Sequence, residues 1–526
     1  MTILGKQLIA GEWIKGEAGT FKAFDSVNGL YIEPKMSFAS EQQISQALLL
    51  AETSSLPYAN TTLQVRADFL NCCADAVLAL GDELNNRAMI ETGYSQKRIE
   101  TERTRVVNQL HLFANLVREG DYLDARINTH LPNRTPLPRS DIRSVNKALG
   151  PVVVFGASNF PLAYSVLGGD TVSALAAGCP VIVKGHNSHP GTSELIAGAI
   201  AKAISECGLP NGVFSLLLGD GYNIGEQLVI SPVVQAVGFT GSTQGGKALI
   251  KISERRAEPI PVFAEMGSSN PVVLLPKTLS EKSSDIANQF VSSLTEGTGQ
   301  FCVNPGLVIA IDNAALTGFI AQVKLRLSEI PAGVMLNKDI YKRYVIATEQ
   351  AINTPNVRVI AKGQAPVNNK GCFTQAIFMQ TDAQTFIDSD DLKDEIFGHA
   401  SLLVACQTLE ELNRVIISLP GQLTGTIQAS IEELAKHQEL IDVLQQKVGR
   451  LVINNFPTGV EVCEAMMHGG PFPASSDTRF TSVGTAAIKR FIRPICLQNY
   501  PELLLPDSLK NDNPLNLTRL VDGVYT

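Results

Sequence analysis

Between Pro151 and Phe239 the chain alternates short apolar, often β-branched runs with longer stretches of helical period, and this alternation limits its folding options more than any other feature. The runs Pro151–Phe155, Pro180–Val183, Val213–Leu218 and Ala236–Phe239 are separated by helical stretches containing Ala163–Ala176, Thr192–Cys207 and Ile224–Ile230. A strand that is apolar on both faces has to be covered on both faces. Such strands separated by helices therefore predict a parallel α/β sheet sandwiched between helical layers. Sheets of this kind bind ligands beyond the carboxyl ends of their strands. A second alternating region, from Asn270 to about Val460, has strand-like runs at Pro271–Leu275, Leu307–Ile311, Ala400–Ala405 and Leu451–Ile453 and predicts a second α/β unit.

Ahead of the first strong strand, Ser40 to Glu119 carries three apolar faces at helical spacing, for example Val65, Phe69, Cys73 and Val77. Between Tyr122 and Lys147 the composition turns polar and Pro-rich (HLPNRTPLPRS), reading either as a linker or as an extended arm that pairs with another subunit. The tail after Arg490 has no core-forming period and is expected to lie on a neighbouring surface. At 526 residues the chain exceeds what one hydrophobic core fills, so two or three domains are expected.

Composition excludes several classes. A net charge of −8 on 43 basic and 51 acidic residues provides no field for nucleic acid or an anionic membrane. No apolar run approaches the ~20 residues of a membrane span, and the opening MTILGKQLIAGEW has no signal-peptide pattern, so a cytoplasmic protein is expected. Nine scattered cysteines without a C-x-x-C pair argue against disulfides and a structural zinc site. His186, His189 and His468 lack the carboxylate that accompanies zinc-binding histidine motifs, and no metal is expected.

Three segments can carry chemistry. In VGFTGSTQGGKAL, glycines 238, 241, 245 and 246 lie between a strand and a helix, where they serve either an anion at the helix amino end or a purely steric turn. In GTGQFCVNPG, Cys302 follows a glycine-rich turn and precedes a strand, as a reachable thiol or a buried loop cysteine. Glu265, in PVFAEMGSSNP, is a general base if partial burial raises its pKa, and otherwise a solvated carboxylate.

The order of FGASNFP, a Lys after VIV, GFTGST, FAEMGSSNP, GQFC and DEIFGH resembles the aldehyde dehydrogenase superfamily from about Lys6 to Pro494. The resemblance implies a Rossmann-type dinucleotide-binding domain (residues 1–123 and 148–262) and an α/β catalytic domain with a nucleophilic cysteine (263–470). It also implies an oligomerisation arm (124–147 and 480–505), followed by a C-terminal tail (506–526). Cys302 would attack the aldehyde carbonyl, the Asn159 amide and the Cys302 N–H would hold the oxyanion, and Glu265 would activate the deacylating water.

For the cofactor, NADP or NAD, the resemblance points to Lys184 at the adenosine ribose and to Gly241, Ser242 and Gly246 at the pyrophosphate. Glu395 and Phe397 would position the nicotinamide riboside. Asn187 stands where NAD-preferring members commonly carry a Glu, which removes a repulsion against a 2′-phosphate. Ser158 and His399 replace a frequent Trp and Pro and are expected to reshape the pocket wall.

KGHNSHPGTSE, GPFPASSDTRFTSVG and the long tail resemble the branch of 2-oxoglutarate semialdehyde (2,5-dioxopentanoate) dehydrogenases and certain bacterial fatty aldehyde dehydrogenases. The first substrate implies an enzyme of sugar-acid or hydroxyproline breakdown. Arg479 is the candidate partner for its carboxylate, with an ion pair at a contact as the alternative, while Phe160, Phe301, Phe456, Val462 and Phe472 are candidates for lining an apolar tunnel. A cysteine hydrolase or acyltransferase without hydride transfer is the competing enzyme class. A homodimer or homotetramer is implied, with residues 131–144 and 491–497 as the arm strands.

Overall fold

The computed structural model describes residues 2–367 and 370–526. Two seven-stranded sheets dominate it. In the first, the strands Val262–Glu265, Ala236–Thr240, Val152–Phe155, Val181–Lys184 and Phe214–Leu217 lie side by side in that order and run parallel. The strand that comes first in the chain, Val152–Phe155, is central; its successors build outward on one side and then cross back to the other. That reversal opens a crevice at the carboxyl edge, beyond Phe155, Lys184 and Thr240.

The second sheet has the order Arg358–Lys362, Ile377–Asp382, Ala400–Cys406, Leu307–Ile311, Pro271–Leu274, Gln422–Gln428, Val448–Ile453, and only its first strand is antiparallel to its neighbour. Residues 266–270 alone separate Glu265, at the carboxyl end of one sheet, from Pro271, at the amino end of a strand inside the other. The carboxyl edge of the first sheet thus meets the amino edge of the second.

Several elements differ from the periodicity reading. The strands Gln7–Ile9 and Glu12–Ile14 extend the first sheet antiparallel beside Phe214–Leu217; at three residues each, on either side of a turn with Gly11 at φ 89°, they are too short to show a period. Four helices rather than three follow: Glu41–Ala59, Leu63–Ala79, Gly81–Thr92 and Gln96–Glu119. The helix expected from Ala163 begins only at Gly169, because the Glu102 carboxylate accepts the N–H groups of Leu162 (2.8 Å) and Ala163 (2.9 Å) and holds them in a preceding turn.

The Pro-rich segment supplies strands Arg126–Asn128 and Ile142–Ala148, and the latter pairs antiparallel with Ile492–Gln498. The tail packs on the same small sheet. Leu520–Val521 runs parallel beside Arg126–Asn128, Leu509 is fully buried, and Arg143 donates to Asn511 Oδ1 at 2.9 Å. Among the described residues no helix is long and apolar enough to cross a membrane.

Candidate active site

Cys302, Glu265 and His468 converge where the two sheets meet, and their sulfur, carboxylate and imidazole atoms all lie within 4.8 Å of one another. Cys302 sits half-buried in the turn before strand Leu307–Ile311, and Glu265 ends strand Val262–Glu265. His468 is fully buried, its Nε2 3.0 Å from Glu265 Oε1 and 3.4 Å from Cys302 Sγ. The sequence offers His468 only as a metal ligand without a metal motif; the groups it meets are remote in the chain, so its place here does not show in the sequence. Sulfur, imidazole and carboxylate are also the donor types that ligate zinc.

The electrostatics of the cluster are polarised. Burial pushes the Cys302 thiol well above its ordinary range, and the neighbouring Glu265 carboxylate adds to the effect because a second negative charge beside it is unfavourable. Burial opposes ionisation of Glu265 too, but the His468 imidazole together with hydroxyl and thiol hydrogen bonds from Ser482 and Cys302 hold its pKa below the ordinary value. The expectation of a raised Glu265 pKa is therefore reversed: the residue is buried, yet hydrogen-bonded in its charged form. Ser482 Oγ donates to Glu265 Oε2 from a loop far along the chain.

Asn159 follows strand Val152–Phe155 and is buried, with its Nδ2 donating to the Gln300 carbonyl at 3.0 Å. That bond places the amide two residues from the nucleophile and leaves a second N–H. Among the described residues, the Cys302 backbone N–H donates to no protein acceptor. The Asn159 carbonyl accepts from Tyr94 Oη and Arg98 Nη2, both at 3.1 Å, so its peptide is held from the helical side.

The turn around Cys302 is fixed by Asn270, Gly299 and Asn304, which the motif phrases contain without a role, and by Gln422, which they do not contain. Asn270, fully buried at φ 51°, donates from Nδ2 to the carbonyls of Cys302 (2.9 Å), Asn304 (2.9 Å) and Ser268 (3.1 Å). Gln422 Oε1 in turn accepts from the Asn270 and Ser269 N–H groups at 3.1 and 2.8 Å. Gly299 has φ 67°, and a side chain there would start 2.4 Å from Gly398 C, so only glycine lets this turn rest on the EIFG segment. Asn304 Nδ2 completes the joint with a 3.0 Å bond to the Gly398 carbonyl.

The residues expected to hold the dinucleotide lie on several elements, with Lys184 at the end of its strand and Gly241 and Ser242 between strand Ala236–Thr240 and the next helix. Lys184 ends its strand with Nζ 3.4 Å from Asn187 Oδ1; burial lowers its pKa to about 8 and Asp220 opposes that shift. Asp220 therefore brings a carboxylate close to Lys184, a negative charge that the Asn187 substitution alone did not lead one to expect. Ser242 caps helix Thr243–Glu254 by accepting from the Gly245 N–H at 3.2 Å, and the first-turn N–H groups of Thr243 and Gln244 have no intrahelical acceptor. Gly241 donates to the Glu265 carbonyl at 3.0 Å. Gly246 is placed differently from expectation: its N–H is spent on the Ser242 carbonyl, and a side chain there would start 2.5 Å from Met266 Sδ, so it serves helix packing.

Glu395 faces the start of that helix across a cleft of ≈ 500 Å³ lined by Thr243, Lys247, Gly267, Ser268 and Glu395 among others. A side chain on Gly267 would start 2.6 Å from Glu395 Oε2, and burial pushes the Glu395 carboxyl up to about 8. Phe397, with Glu395, lines an adjoining cavity that reaches Asn304 and Leu307. Ser158 is half-buried beside Asn159. His399 is buried, its Nε2 2.9 Å from Thr374 Oγ1, and burial lowers its pKa to about 3.

The candidate substrate residues divide. Phe160 and Phe301 stack edge-on with centroids 5.4 Å apart and pack with Tyr164, Val460, Val462 and Cys302. Phe456 instead belongs to the core of the second unit, 6.1 Å from the Phe290 ring, and Phe472 is exposed beneath Lys247. Arg479 is mostly exposed and forks onto Asp477, two residues away, through Nε at 2.9 Å and Nη2 at 2.5 Å, a local ion pair rather than the one at a subunit or domain contact that the sequence offers as its alternative. The cations whose charge reaches the sulfur are Arg105 and Arg450, neither of which the sequence singled out.

Comparison with known proteins bears on the family and the fold. The pattern of the aldehyde dehydrogenase family matches residues 13–489. The chain is 50% identical to alpha-ketoglutaric semialdehyde dehydrogenase 2 of Azospirillum brasilense over 99% of both chains. It is 45% identical to alpha-ketoglutaric semialdehyde dehydrogenase of Acinetobacter baylyi, again over 99% of both. Among solved structures, methylmalonate-semialdehyde dehydrogenase from Oceanimonas doudoroffii superposes with a TM-score of 0.81 at 19% identity, covering 95% of this chain and 99% of that one. The NAD complex of 1-pyrroline-5-carboxylate dehydrogenase from Thermus superposes with a TM-score of 0.80 at 18% identity, covering 94% and 92%.

Proposed function

The chain belongs to the aldehyde dehydrogenase family, and from that premise we propose that it oxidises 2,5-dioxopentanoate, the semialdehyde of 2-oxoglutarate, to 2-oxoglutarate with NAD or NADP as acceptor. What carries the reading is the meeting of Cys302, Glu265 and His468 within 4.8 Å beside the Asn159 amide, next to a crevice that suits a dinucleotide. The fit rests on the free N–H groups at the helix beginning with Thr243, the buried ammonium of Lys184, and Gly267, where a side chain would collide with Glu395.

In this reading Cys302 gives up its proton into the Glu265–His468 pair, and the sulfur adds to the aldehyde carbon. The Asn159 amide and the Cys302 N–H receive the charge that develops on the carbonyl oxygen, a contribution of roughly 3 kcal/mol per donor at comparable sites. Lys184 with Asn187 would hold the adenosine ribose, and Gly241 and Ser242 would approach the diphosphate at the start of the helix. Glu395 and Phe397 orient the nicotinamide riboside. A bound dinucleotide would supply the hydride acceptor needed to take the Cys302 adduct from thiohemiacetal to thioester. Glu265, paired with His468, then takes a proton from water as the water attacks the thioester, and the carboxylate product leaves with the thiol restored. Overall, aldehyde, water and oxidised cofactor give carboxylate, reduced cofactor and protons.

Self-association through the strands Ile142–Ala148 and Ile492–Gln498, and residence in the cytoplasm, belong to the same proposal. The test is reduction of NAD and of NADP by the purified protein with 2,5-dioxopentanoate, followed at 340 nm. Activity should require cofactor, exceed that with a long-chain aldehyde, and vanish in Cys302→Ala. Absence of cofactor reduction, with ester hydrolysis alone, would favour the hydrolase class and overturn the reading.

A further inference from the structure

We propose that Arg105, on helix Gln96–Glu119, anchors the carboxylate of the substrate; this rests on the reading of the substrate as a 2-oxo acid semialdehyde. One face of that helix is turned toward the nucleophile's surroundings. Arg98, Glu102 and Arg105 follow at spacings of four and three residues, which places them one above another. Each meets the segment between Asn159 and Tyr164: Arg98 donates to the Asn159 carbonyl, Glu102 accepts from Leu162 and Ala163, and Arg105 Nη2 donates to Tyr164 Oη at 3.1 Å.

The two arginines have different fates. Arg98 is enclosed by the rings of Tyr94, Phe160 and Phe301 at 4.4, 4.8 and 4.2 Å, and its Nη1 is buried without a partner, so it packs the wall. Arg105 is half-buried. Its Nη1 donates to the Val460 carbonyl and its guanidinium lies 5.6 Å from the Tyr164 ring. Tyr164 and Val460 both pack in the apolar cluster that contains Cys302, so Arg105 is bonded to two members of the nucleophile's own surroundings, and its charge acts on the sulfur.

Every partner of Arg105 is neutral. Among the described residues no carboxylate lies within 4 Å of it, whereas Arg479 already holds Asp477. Its Nε makes no hydrogen bond and is not sealed from solvent. Arg450 is committed otherwise: it donates to the carbonyls of Gly459 (3.1 Å) and Pro457 (2.5 Å) and so braces the loop that carries Val460. A planar guanidinium with unspent donors beside a phenol hydroxyl, next to an otherwise apolar cluster of Phe160, Phe301, Val460 and Val462, offers a carboxylate two kinds of donor and gives an uncharged chain end neither. The 2-oxo acid end would lie against Arg105 and Tyr164 while its aldehyde end meets Cys302.

The experiment compares kcat/KM for 2,5-dioxopentanoate with that for pentanal, an uncharged aldehyde of equal length, in wild type, Arg105→Leu and Arg105→Lys. The ratio should fall by about 100-fold in Arg105→Leu, chiefly through KM for the oxo acid, with partial recovery in Arg105→Lys. If the leucine variant does not fold, Arg105→Gln, which keeps a donor for the Val460 carbonyl, must lower the ratio by at least about tenfold. A ratio within about threefold of wild type in the folded variant overturns the assignment. Failure of the wild-type enzyme to prefer the oxo acid over pentanal overturns the substrate reading instead, so the two failures are separable.

Discussion

A thiol pushed up by burial beside a carboxylate held down by an imidazole is a poised pair: the proton stays on sulfur until an electrophile arrives. This gives a pH dependence with a definite sign. Because the thiolate is the reactive form and the pKa lies above the ordinary thiol range, alkylation of the free enzyme by iodoacetamide should keep accelerating as the pH rises through 9. In Glu265→Gln the neighbouring negative charge is gone, so the rise should move to lower pH; an unmoved curve would show that the carboxylate does not act on the thiol. The same variant tests the second half of the cycle. With substrate and cofactor it should release about one equivalent of reduced nicotinamide per site in a rapid burst, while steady turnover falls about 100-fold or more because the deacylating water has lost its base. Cys302 and Glu265 stand out in the sequence as candidates at element boundaries, while Asn159 enters only through the family resemblance. His468 does neither, since a histidine acquires a role only from what folding brings next to it.

Asn270 determines how well the nucleophile's turn is held. Replacing it with Ala would leave the carbonyls of Ser268, Cys302 and Asn304 without their shared donor. Where such groups are buried the cost is about 1–3 kcal/mol. Asn270→Ala should therefore lower the urea midpoint and reduce kcat, while the affinity for NAD, read by fluorescence titration, changes little. An unchanged kcat would remove Asn270 from the positioning of Cys302. Legibility of the elements followed their chemistry. Strands such as Val152–Phe155 and Leu307–Ile311 show as apolar runs, but Gln422–Gln428, equally buried in the second sheet, reads QLTGTIQ and is disguised by side chains that hydrogen-bond inward. Thr424 Oγ1 meets Asn270 Oδ1 at 2.9 Å, and Gln422 holds the residues before Pro271. A buried strand that works as a hydrogen-bonding frame does not carry the hydrophobic signature by which strands are recognised.

At the scale of the molecule, the α/β class followed from the alternation, but the completion of the small sheet by the tail did not, because Leu520–Val521 and Val524–Tyr525 are two residues each, the first paired to Arg126–Asn128 and the second only to the first. Ending the chain at residue 505 would remove Leu509, Arg519 and both of these strands. The truncated protein should unfold several degrees lower in calorimetry and, if the arm carries self-association, show a smaller mass by light scattering. The connection between the halves has a consequence of its own. Five residues link the strand that ends in Glu265 to a strand deep within the other sheet, and Asn270, the last of them, grips the Cys302 carbonyl. A short tether of this kind leaves the base and the sulfur little freedom to move independently of the two sheets that carry them.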